Sequence, residues 1–260
     1  MKDSLSVASI THNLDTRFIG REIVYYPRVT STNEIAKEKA KQGALEGTVV
    51  IAGEQTAGRG RRQRIWLSPK GSIALSVILY PRLDNLPSLI MLASLAVVRS
   101  IEAITALKPR IKWPNDVLVS GRKICGILVE SEVRGSKVDY AVIGVGVNVN
   151  LRASNLPEIL PEATSLSDEL GRDVSIPGLI RRLLVKVEGL YLTLQSGGSI
   201  YEEWRDSLVT LGKEVCVESG GTTRVGIAQS VARDGSLLLC HPDGSLTRIV
   251  AGDVTLRHRA

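Results

Sequence analysis

The stretch RIKWPNDVLVSGRKICGILVESEVRGSKVDYAVIGVGVNVN, Arg110–Asn150, decides the predicted fold. It contains three apolar runs, which are separated by the segments SGRK and RGSK. Each of these segments is short and contains a glycine, which is typical of turns between antiparallel strands. The stretch therefore predicts an antiparallel meander.

Strand and helix patterns precede the meander in irregular order. The sequence predicts strands at 22–29, 47–52 and 71–80, and helices at 31–42 and 87–107. The first helix carries a capping-box pattern, with Ser31 as N-cap and Glu34 three residues later, and Gly43 follows its end. Because the elements do not follow strict βαβ alternation, we expect an α+β fold with a mixed, largely antiparallel sheet.

The character of the chain changes near residue 211. The pattern predicts a loop at 151–175, helices at 177–195 and 199–209, and then four or five short strands. Gly-Gly and Asp-Gly pairs separate these strands, which fit a small SH3-like β-barrel. We therefore expect two domains, residues 1–210 and 211–260, with few contacts tying residues 208–212 into the core.

Composition excludes several classes of protein. The net charge of +6 suggests anionic partners, but it does not say whether the anion is a polymer, a nucleotide or an acidic protein. Aromatic residues form only 4% of the 260 residues, which argues against a stacking platform for single-stranded nucleic acid. The cysteines and histidines are isolated, so we expect neither a disulfide framework nor a metal site built from protein ligands.

No segment predicts a membrane protein. The N-terminus lacks the apolar core of a signal peptide. The most apolar long segment, residues 86–107, is interrupted by Arg99 and Glu102, which should leave it too short to span a bilayer. We expect a cytoplasmic protein.

The stretch Gly53–Trp66, GEQTAGRGRRQRIW, is named here the arginine loop, and it has four arginines within six residues. Glycine lets the backbone approach a ligand closely, and arginine offers a planar fork of donors for phosphate or carboxylate. The loop suits either a nucleic-acid groove or a clamp on one small anion. A solvated, mobile surface loop is the structural alternative.

Three further segments are candidates. They are STN at Ser31–Asn33, KWPND at Lys112–Asp116 with Lys123 beyond it, and IGVGVNVN at Ile143–Asn150. Taken singly, each has an ordinary explanation as a helix cap, as a turn with an ion pair, or as a strand that packs closely. Neither a P-loop motif nor GxGxxG occurs.

In this order, STN, Q-x-x-GRGRR-x-R-x-W, KWPND with K-x-x-GILVE, and GxGxN resemble the motifs of the biotin–protein ligases. The motifs cover about residues 31–150, and the C-terminal strands ending in GDVTLR extend the resemblance. It implies a class II synthetase-like catalytic domain with an SH3-like C-terminal domain. The implied enzyme converts biotin and ATP to biotinyl-5′-AMP, with Mg²⁺ held mainly by phosphates. It then biotinylates a lysine in the biotin carboxyl carrier domain of a biotin-dependent carboxylase.

The resemblance also implies roles for individual residues. The catalytic candidates are Lys123, which would hold the biotin carboxylate and α-phosphate, Arg59, and Asp116, which would orient or deprotonate the acceptor lysine. The biotin-binding candidates are Ser31, Thr32, Asn33, Gln55, Arg59, Gly60, Arg61, Lys123, Gly126 and Gly144. The ATP-binding candidates are Arg61, Arg62, Arg64, Trp66, Lys112, Asn115 and Asn148. Gly144 and Gly146 would let ligand approach the sheet.

Two expectations concern alternatives within this family. Some members are DNA-binding, biotin-responsive regulators with an N-terminal helix-turn-helix, but the residues before Ser31 are too few for such a domain, so we expect no nucleic-acid partner. A homodimer is left open. Gln63 replaces a glycine common in the family, which predicts strain there or a different loop path if the position needs a positive φ. The like charges of the loop predict that it is mobile until an anion orders it.

Overall fold

The computed structural model describes residues 5–152 and 163–256. Its helices are α1 Val7–Thr11, α2 Thr32–Lys41, α3 Leu89–Ile104, α4 Leu166–Leu170, α5 Ile176–Gln195 and α6 Tyr201–Asp206, with 3₁₀ turns at Arg61–Gln63 and Leu83–Ser88. The larger sheet contains β1 Ile23–Tyr26, β2 Val49–Ala52, β3 Ser72–Leu79, β4 Arg110–Lys112, β5 Asp116–Val119, β6 Arg122–Arg134 and β7 Lys137–Asn148. The smaller sheet contains β8 Glu214–Ser219, β9 Thr222–Val231, β10 Leu237–Cys240, β11 Leu246–Ile249 and β12 Asp253–Leu256.

The larger sheet has the strand order β1-β2-β3-β7-β6-β5-β4. Only the β1–β2 pair is parallel among its described strands, which confirms the mixed, largely antiparallel sheet and the meander of β4 to β7. The turns of the meander are shorter than predicted, because β5 ends at Val119 and β6 begins at Arg122. Ser120 and Gly121 both have positive φ, at 51° and 78°, as the tight two-residue turn requires.

The two faces of this sheet are covered by different helices. Alternate strand residues point to opposite faces. On one face, Val49, Ile51 and Val77 join the main core with α3 and α5. On the other face, Val50 and Ile78 join a smaller cluster with residues of α2. The sheet face that packs against α2, named here the α2 face, is not fully covered by that helix. A cavity opens on it beside Ser31–Asn33, at the N-terminus of α2.

Helix α3 and the 3₁₀ turn before it correct one expectation. The segment Leu83–Ile104 is long and apolar enough to cross a membrane by length and composition, so the prediction that it is too short is wrong. Most of the segment is nevertheless buried within the protein, and α3 packs on the sheet and on α5. Such burial is typical of the core helix of a globular domain.

Two local predictions also need correction. Ser31 is the N-cap of α2, but its side chain makes no capping hydrogen bond, and Glu34 instead pairs with Lys37 and Arg59. The predicted loop at 151–175 contains α4, which is capped by the Ser165 side chain. Residues 153–162 of that predicted loop lie outside the described residues.

The C-terminal residues form a separate antiparallel sheet with the order β11-β10-β9-β8-β12, close to an SH3-like fold, as predicted. The segment before it is tied to β4, contrary to expectation. Ile111 N donates to Ser207 O at 2.9 Å, and Val209 N donates to Ile111 O at 2.8 Å. Trp113 N donates to Thr210 Oγ1 at 2.9 Å. The domain boundary at residue 210 therefore stays a prediction. The expectation that residues 208–212 make few contacts with the core is wrong.

Candidate active site

A cavity of about 240 Å³ opens on the α2 face of the larger sheet. Its floor contains glycines of two adjacent strands, since Gly126 of β6 pairs with Gly146 of β7, and Gly144 lies two residues before Gly146 on the same strand. The lining residues are Ser31, Thr32, Asn33, Gln55, Arg59, Gly60, Arg61, Arg64, Ile65, Trp66, Leu67, Asn115, Asp116, Lys123, Gly126, Ile127, Leu128, Gly144, Val145, Gly146, Asn148, Ala163 and Asp253.

Residues from all four sequence segments therefore meet at one cavity. Two predicted residues do not lie on its wall. Lys112 lies on β4, the edge strand of the sheet, and Arg62 points to the C-terminal sheet, where its Nη2 donates to Glu218 O at 2.7 Å. The assignment of these two residues to ATP stays a prediction. Asp253 also lines the cavity. The sequence analysis did not predict it as a site residue and included it only in the motif GDVTLR.

Lys123 and Asp116 form an ion pair at the cavity wall. Lys123 Nζ lies 2.6 Å from Asp116 Oδ1, because adjacent strands β5 and β6 carry the two residues across a register shift. Lys123 Nζ also lies 5.3 Å from the centroid of the Trp66 ring, within the range of a cation–π contact. The lysine therefore has a fixed ammonium group directed along the cavity wall.

The arginine loop closes on itself like a hairpin. Trp66 N donates to Gly58 O at 2.8 Å, and Gly60 N donates to Arg64 O at 2.7 Å. At the tip, Arg62 and Gln63 have φ values of 52° and 60°. Position 63 therefore does adopt a positive φ, and the exposed Gln63 stands in a conformation that costs a side-chain residue about 1 kcal/mol.

A single carboxylate of the C-terminal sheet compensates the charge of this loop. Asp253 lies within 4 Å of the guanidinium groups of three arginines, Arg61, Arg62 and Arg64. Arg61 Nη1 also donates to Gly252 O at 2.8 Å. Burial lowers the pKa of Arg61 and Asp253 opposes the shift, but an arginine keeps its charge. The protein itself therefore supplies a negative partner for these charges, which the sequence did not predict, and the mobility of the free loop stays a prediction.

The fourth arginine of the loop joins a second network. Arg59 Nη1 lies 2.9 Å from Glu34 Oε1, and Lys37 Nζ lies 2.8 Å from both Glu34 Oε1 and Glu130 Oε1. The hydrogen bond from Lys37 lowers the pKa of Glu34. Burial acts to lower the pKa of Lys37, but the hydrogen bonds to Glu130 and Glu34 outweigh it, so this pKa is raised. Both shifts favour the charged forms of Glu34 and Lys37 near neutral pH.

The glycines on the cavity floor leave space that is filled by two side chains of the protein itself, Trp66 and Asn33. A Cβ on Gly126 or Gly146 would collide with the Trp66 indole, and a Cβ on Gly144 would collide with the Asn33 amide. Sequence reasoning assigned the close approach at Gly144 and Gly146 to a ligand, whereas here Asn33 and Trp66 make it. The Trp66 Nε1 atom is buried and has no hydrogen-bond partner in the described part of the chain. This atom lies against the sheet, since a Cβ added to Gly146 would come within 2.2 Å of it.

Metal ligands of protein origin are not clustered here. Within residues 5–152 and 163–256, no group of three or more His, Cys, Asp or Glu side chains could hold a metal ion.

Comparison with known proteins identifies the family. The Biotin/lipoate A/B protein ligase family matches residues 25–148, and the biotin protein ligase C terminal domain matches residues 210–257. The bifunctional ligase/repressor BirA of Bacillus spizizenii is 36% identical over 258 residues, covering 97% of this chain and 79% of that protein. The biotin–[acetyl-CoA-carboxylase] ligase of Mycobacterium tuberculosis is 36% identical over 250 residues, covering 90% and 88%.

A solved structure extends the similarity to the whole fold. The biotin protein ligase from Aquifex aeolicus in complex with biotin and ATP superposes with a TM-score of 0.79 at 27% identity, covering 92% of this chain and 100% of that one. The match includes both sheets, since it spans nearly all of this chain. The chain therefore belongs to the Biotin/lipoate A/B protein ligase family, and within that family to the biotin protein ligases.

Proposed function

We propose that this protein activates biotin with ATP and transfers the biotinyl group to a lysine of a biotin carboxyl carrier domain. One observation carries the proposal: the Lys123 ammonium, the Asp116 carboxylate and the Arg61 guanidinium line the same glycine-floored cavity. Reactions between a carboxylate and a polyphosphate need fixed cations of this kind, because several negative charges must meet. The names of the relatives support the same reaction.

The first step forms biotinyl-5′-AMP. A carboxylate oxygen of biotin attacks the α-phosphorus of ATP, the bond from that phosphorus to the bridging oxygen breaks, and pyrophosphate leaves. Lys123 would stabilise the negative charge shared by the carboxylate and the α-phosphate. Arg59 and Arg61 would hold the activated carboxyl group, and the closed loop would keep water from the mixed anhydride.

The second step transfers the biotinyl group. The neutral amine of the acceptor lysine attacks the acyl carbon, the carbon–oxygen bond to AMP breaks, and the amine loses a proton. Asp116 supports this step, because its carboxylate is held at the cavity wall by Lys123 and can take that proton. We propose that both steps occur in the cytoplasm, where the carrier domain would be met.

The remaining candidates divide between the two substrates. For biotin we propose the wall formed by Ser31, Thr32, Asn33, Gln55, Gly60, Gly126 and Gly144. For ATP we propose Arg61, Arg62, Arg64, Trp66, Lys112, Asn115 and Asn148, with Mg²⁺ bound mainly through the phosphates. Asn148 lines the cavity and is held in place because its Nδ2 donates to Thr164 O at 3.0 Å.

Biotin-dependent exchange between ATP and labelled pyrophosphate tests the first step. We expect exchange with biotin and little with lipoate, which is the matched control because the matched family includes lipoate ligases. Addition of a biotin carboxyl carrier domain should then give one biotinylated lysine, measured by mass spectrometry. Exchange that requires lipoate, or no exchange with either acid, would contradict the proposal.

A further inference from the structure

We infer that Glu130 is a positioning residue for this site: it fixes the direction of the Asn33 amide in the cavity wall and links that amide to Arg59 of the arginine loop. The inference rests on the proposed function where it concerns biotin. Glu130 itself is absent from the residues that line the cavity, so it would act only through other side chains.

The first part concerns Asn33, which is buried at the start of α2. Asn33 Nδ2 donates to Glu130 Oε2 at 2.8 Å, and Asn33 Oδ1 accepts from Ser76 Oγ at 2.6 Å. A carboxylate can only accept, so the amide must present its NH₂ group to Glu130 and its oxygen to Ser76. Asn33 Nδ2 also donates to Leu128 O, but this bond is longer at 3.4 Å. Glu130 is therefore the nearer of the two acceptors that set the direction of the amide.

The second part concerns the link to the loop. The other oxygen of Glu130 lies 2.8 Å from Lys37 Nζ, and Lys37 in turn pairs with Glu34, which pairs with Arg59. Positive and negative groups alternate along this chain of contacts. Loss of the negative charge at Glu130 would leave Lys37 paired only with Glu34, which would weaken the hold of Glu34 on Arg59.

The substitution Glu130→Gln disturbs both parts for one chemical reason. The new side chain has one acceptor oxygen, and both Lys37 and Asn33 present donors to it. If the oxygen faces the charged Lys37, the NH₂ group faces Asn33, and we expect the Asn33 amide to turn over at the cost of its long bond to Leu128 O. Ser76 would then meet the Asn33 NH₂ group in place of its oxygen. The hydrogen-bonding pattern of the biotin wall would be inverted without any change in its shape.

The test is biotin-dependent ATP–pyrophosphate exchange, with each substrate varied while the other is saturating. For Glu130→Gln we expect KM for biotin to rise roughly tenfold, the effect of one misplaced buried hydrogen bond, and KM for ATP to stay within about twofold. Ser76→Ala removes the bond on the other side of the Asn33 amide and should shift KM for biotin in the same direction. Because both variants act on one amide, the double variant should add little to the larger single effect.

Glu132→Gln is the matched control. Glu132 lies two residues further along β6 on the same face, pairs with Lys41 and Tyr140, and does not line the cavity. It should leave both KM values unchanged. Equal shifts in Glu130→Gln and Glu132→Gln, a parallel rise of both KM values, or a wild-type KM for biotin in Glu130→Gln would overturn the inference. If Glu130→Gln fails to fold, a wild-type KM for biotin in Ser76→Ala would overturn it.

Amide hydrogen exchange without substrates separates this inference from the proposed function. Residues 58–66 should exchange severalfold faster in Glu130→Gln than in Glu132→Gln, because the link to Arg59 is weakened. A wild-type protein without biotin-dependent activity would defeat the proposed function. The exchange comparison would still decide whether Glu130 holds the loop, and equal protection in both variants would overturn that link.

Discussion

Arg64 of the arginine loop and Asp253 of the C-terminal sheet form an ion pair, with Nη2 of the arginine 2.8 Å from Oδ2 of the carboxylate. Arg61 and Arg62 approach the same carboxylate. Without substrate, the cations proposed to meet phosphate are thus gathered around a carboxylate of the protein itself. An incoming polyphosphate would compete with Asp253 for these arginines, so the C-terminal sheet contributes to the state of the loop.

Asp253→Asn should loosen the arginine loop. The partly buried carboxylate is the shared partner of three guanidinium groups, and its neutralisation leaves them to repel each other. We expect amide exchange of residues 60–66 to become roughly tenfold faster, measured without substrates. ATP should reduce this difference, since phosphate replaces the lost charge.

Asp243→Asn is the control for this effect. Asp243 lies in the turn between β10 and β11 of the same sheet, and its carboxylate accepts from the backbone N and the Oγ of Ser245 at 2.9 and 2.6 Å. Its exchange pattern in residues 60–66 should match that of the wild type. Unchanged protection in Asp253→Asn would show that the loop is held by its own backbone hydrogen bonds and not by the carboxylate.

Lys123→Ala should impair adenylate formation while the fold survives. The ammonium group is a fixed donor in the cavity, and loss of such a group typically costs about 3 kcal/mol, roughly a hundredfold in rate. ATP–pyrophosphate exchange gives the rate, and thermal unfolding gives the stability. Lys137→Ala, at an exposed position at the start of β7, is the control. Near-normal exchange in a folded Lys123→Ala protein would remove Lys123 from the mechanism.

Gly146→Ala should displace Trp66 from the cavity floor. The added Cβ would overlap the indole, and such overpacking typically costs about 1–3 kcal/mol. Trp113 and Trp204 are fully buried, so increased acrylamide quenching of tryptophan fluorescence would report mainly on Trp66. Gly189→Ala on α5 is the control, because nothing lies within 4 Å of its added Cβ. Equal quenching in the two variants would mean that the floor accommodates the methyl group.

Much of the catalytic unit could be predicted because its signals are local. The meander is predicted by apolar runs and glycine-containing turns that follow one another directly. Each of the four cavity segments is a short motif that can be read on its own within residues 31–150. The pairing of Asp253 with Arg61 joins residues 192 positions apart, and no local pattern encodes it. The same holds for Glu130 and Asn33, which meet only after β6 passes the N-terminus of α2. The approach of Asn33 to Gly144 and of Trp66 to Gly146 could not be predicted for the same reason, since a glycine predicts a close approach but not which group approaches.

The boundary proposed at residue 210 can be tested by limited proteolysis. Residues 196–199 between α5 and α6 are exposed, whereas Leu208 and Thr210 are buried and the adjoining backbone is bonded to Ile111. A protease of broad specificity should therefore cut at 196–199 before 208–212. Mass spectrometry of the first fragments identifies the site. Early cutting at 208–212 would restore the looser linker that the sequence alone predicts.

Gln63→Gly should steady the tip of the arginine loop. Arg64 N donates to Arg61 O at 3.1 Å, so residues 61–64 form a tight turn in which Arg62 and Gln63 both have positive φ. Glycine adopts this conformation without the cost that a side chain carries, which is about 1 kcal/mol and roughly fivefold in an opening equilibrium. The amide of Arg64 should therefore exchange severalfold more slowly in Gln63→Gly. Gln63→Ala removes the same exposed side chain but keeps the Cβ, so its exchange should match that of the wild type. Slower exchange in the alanine variant as well would assign the effect to the lost side chain and not to backbone strain.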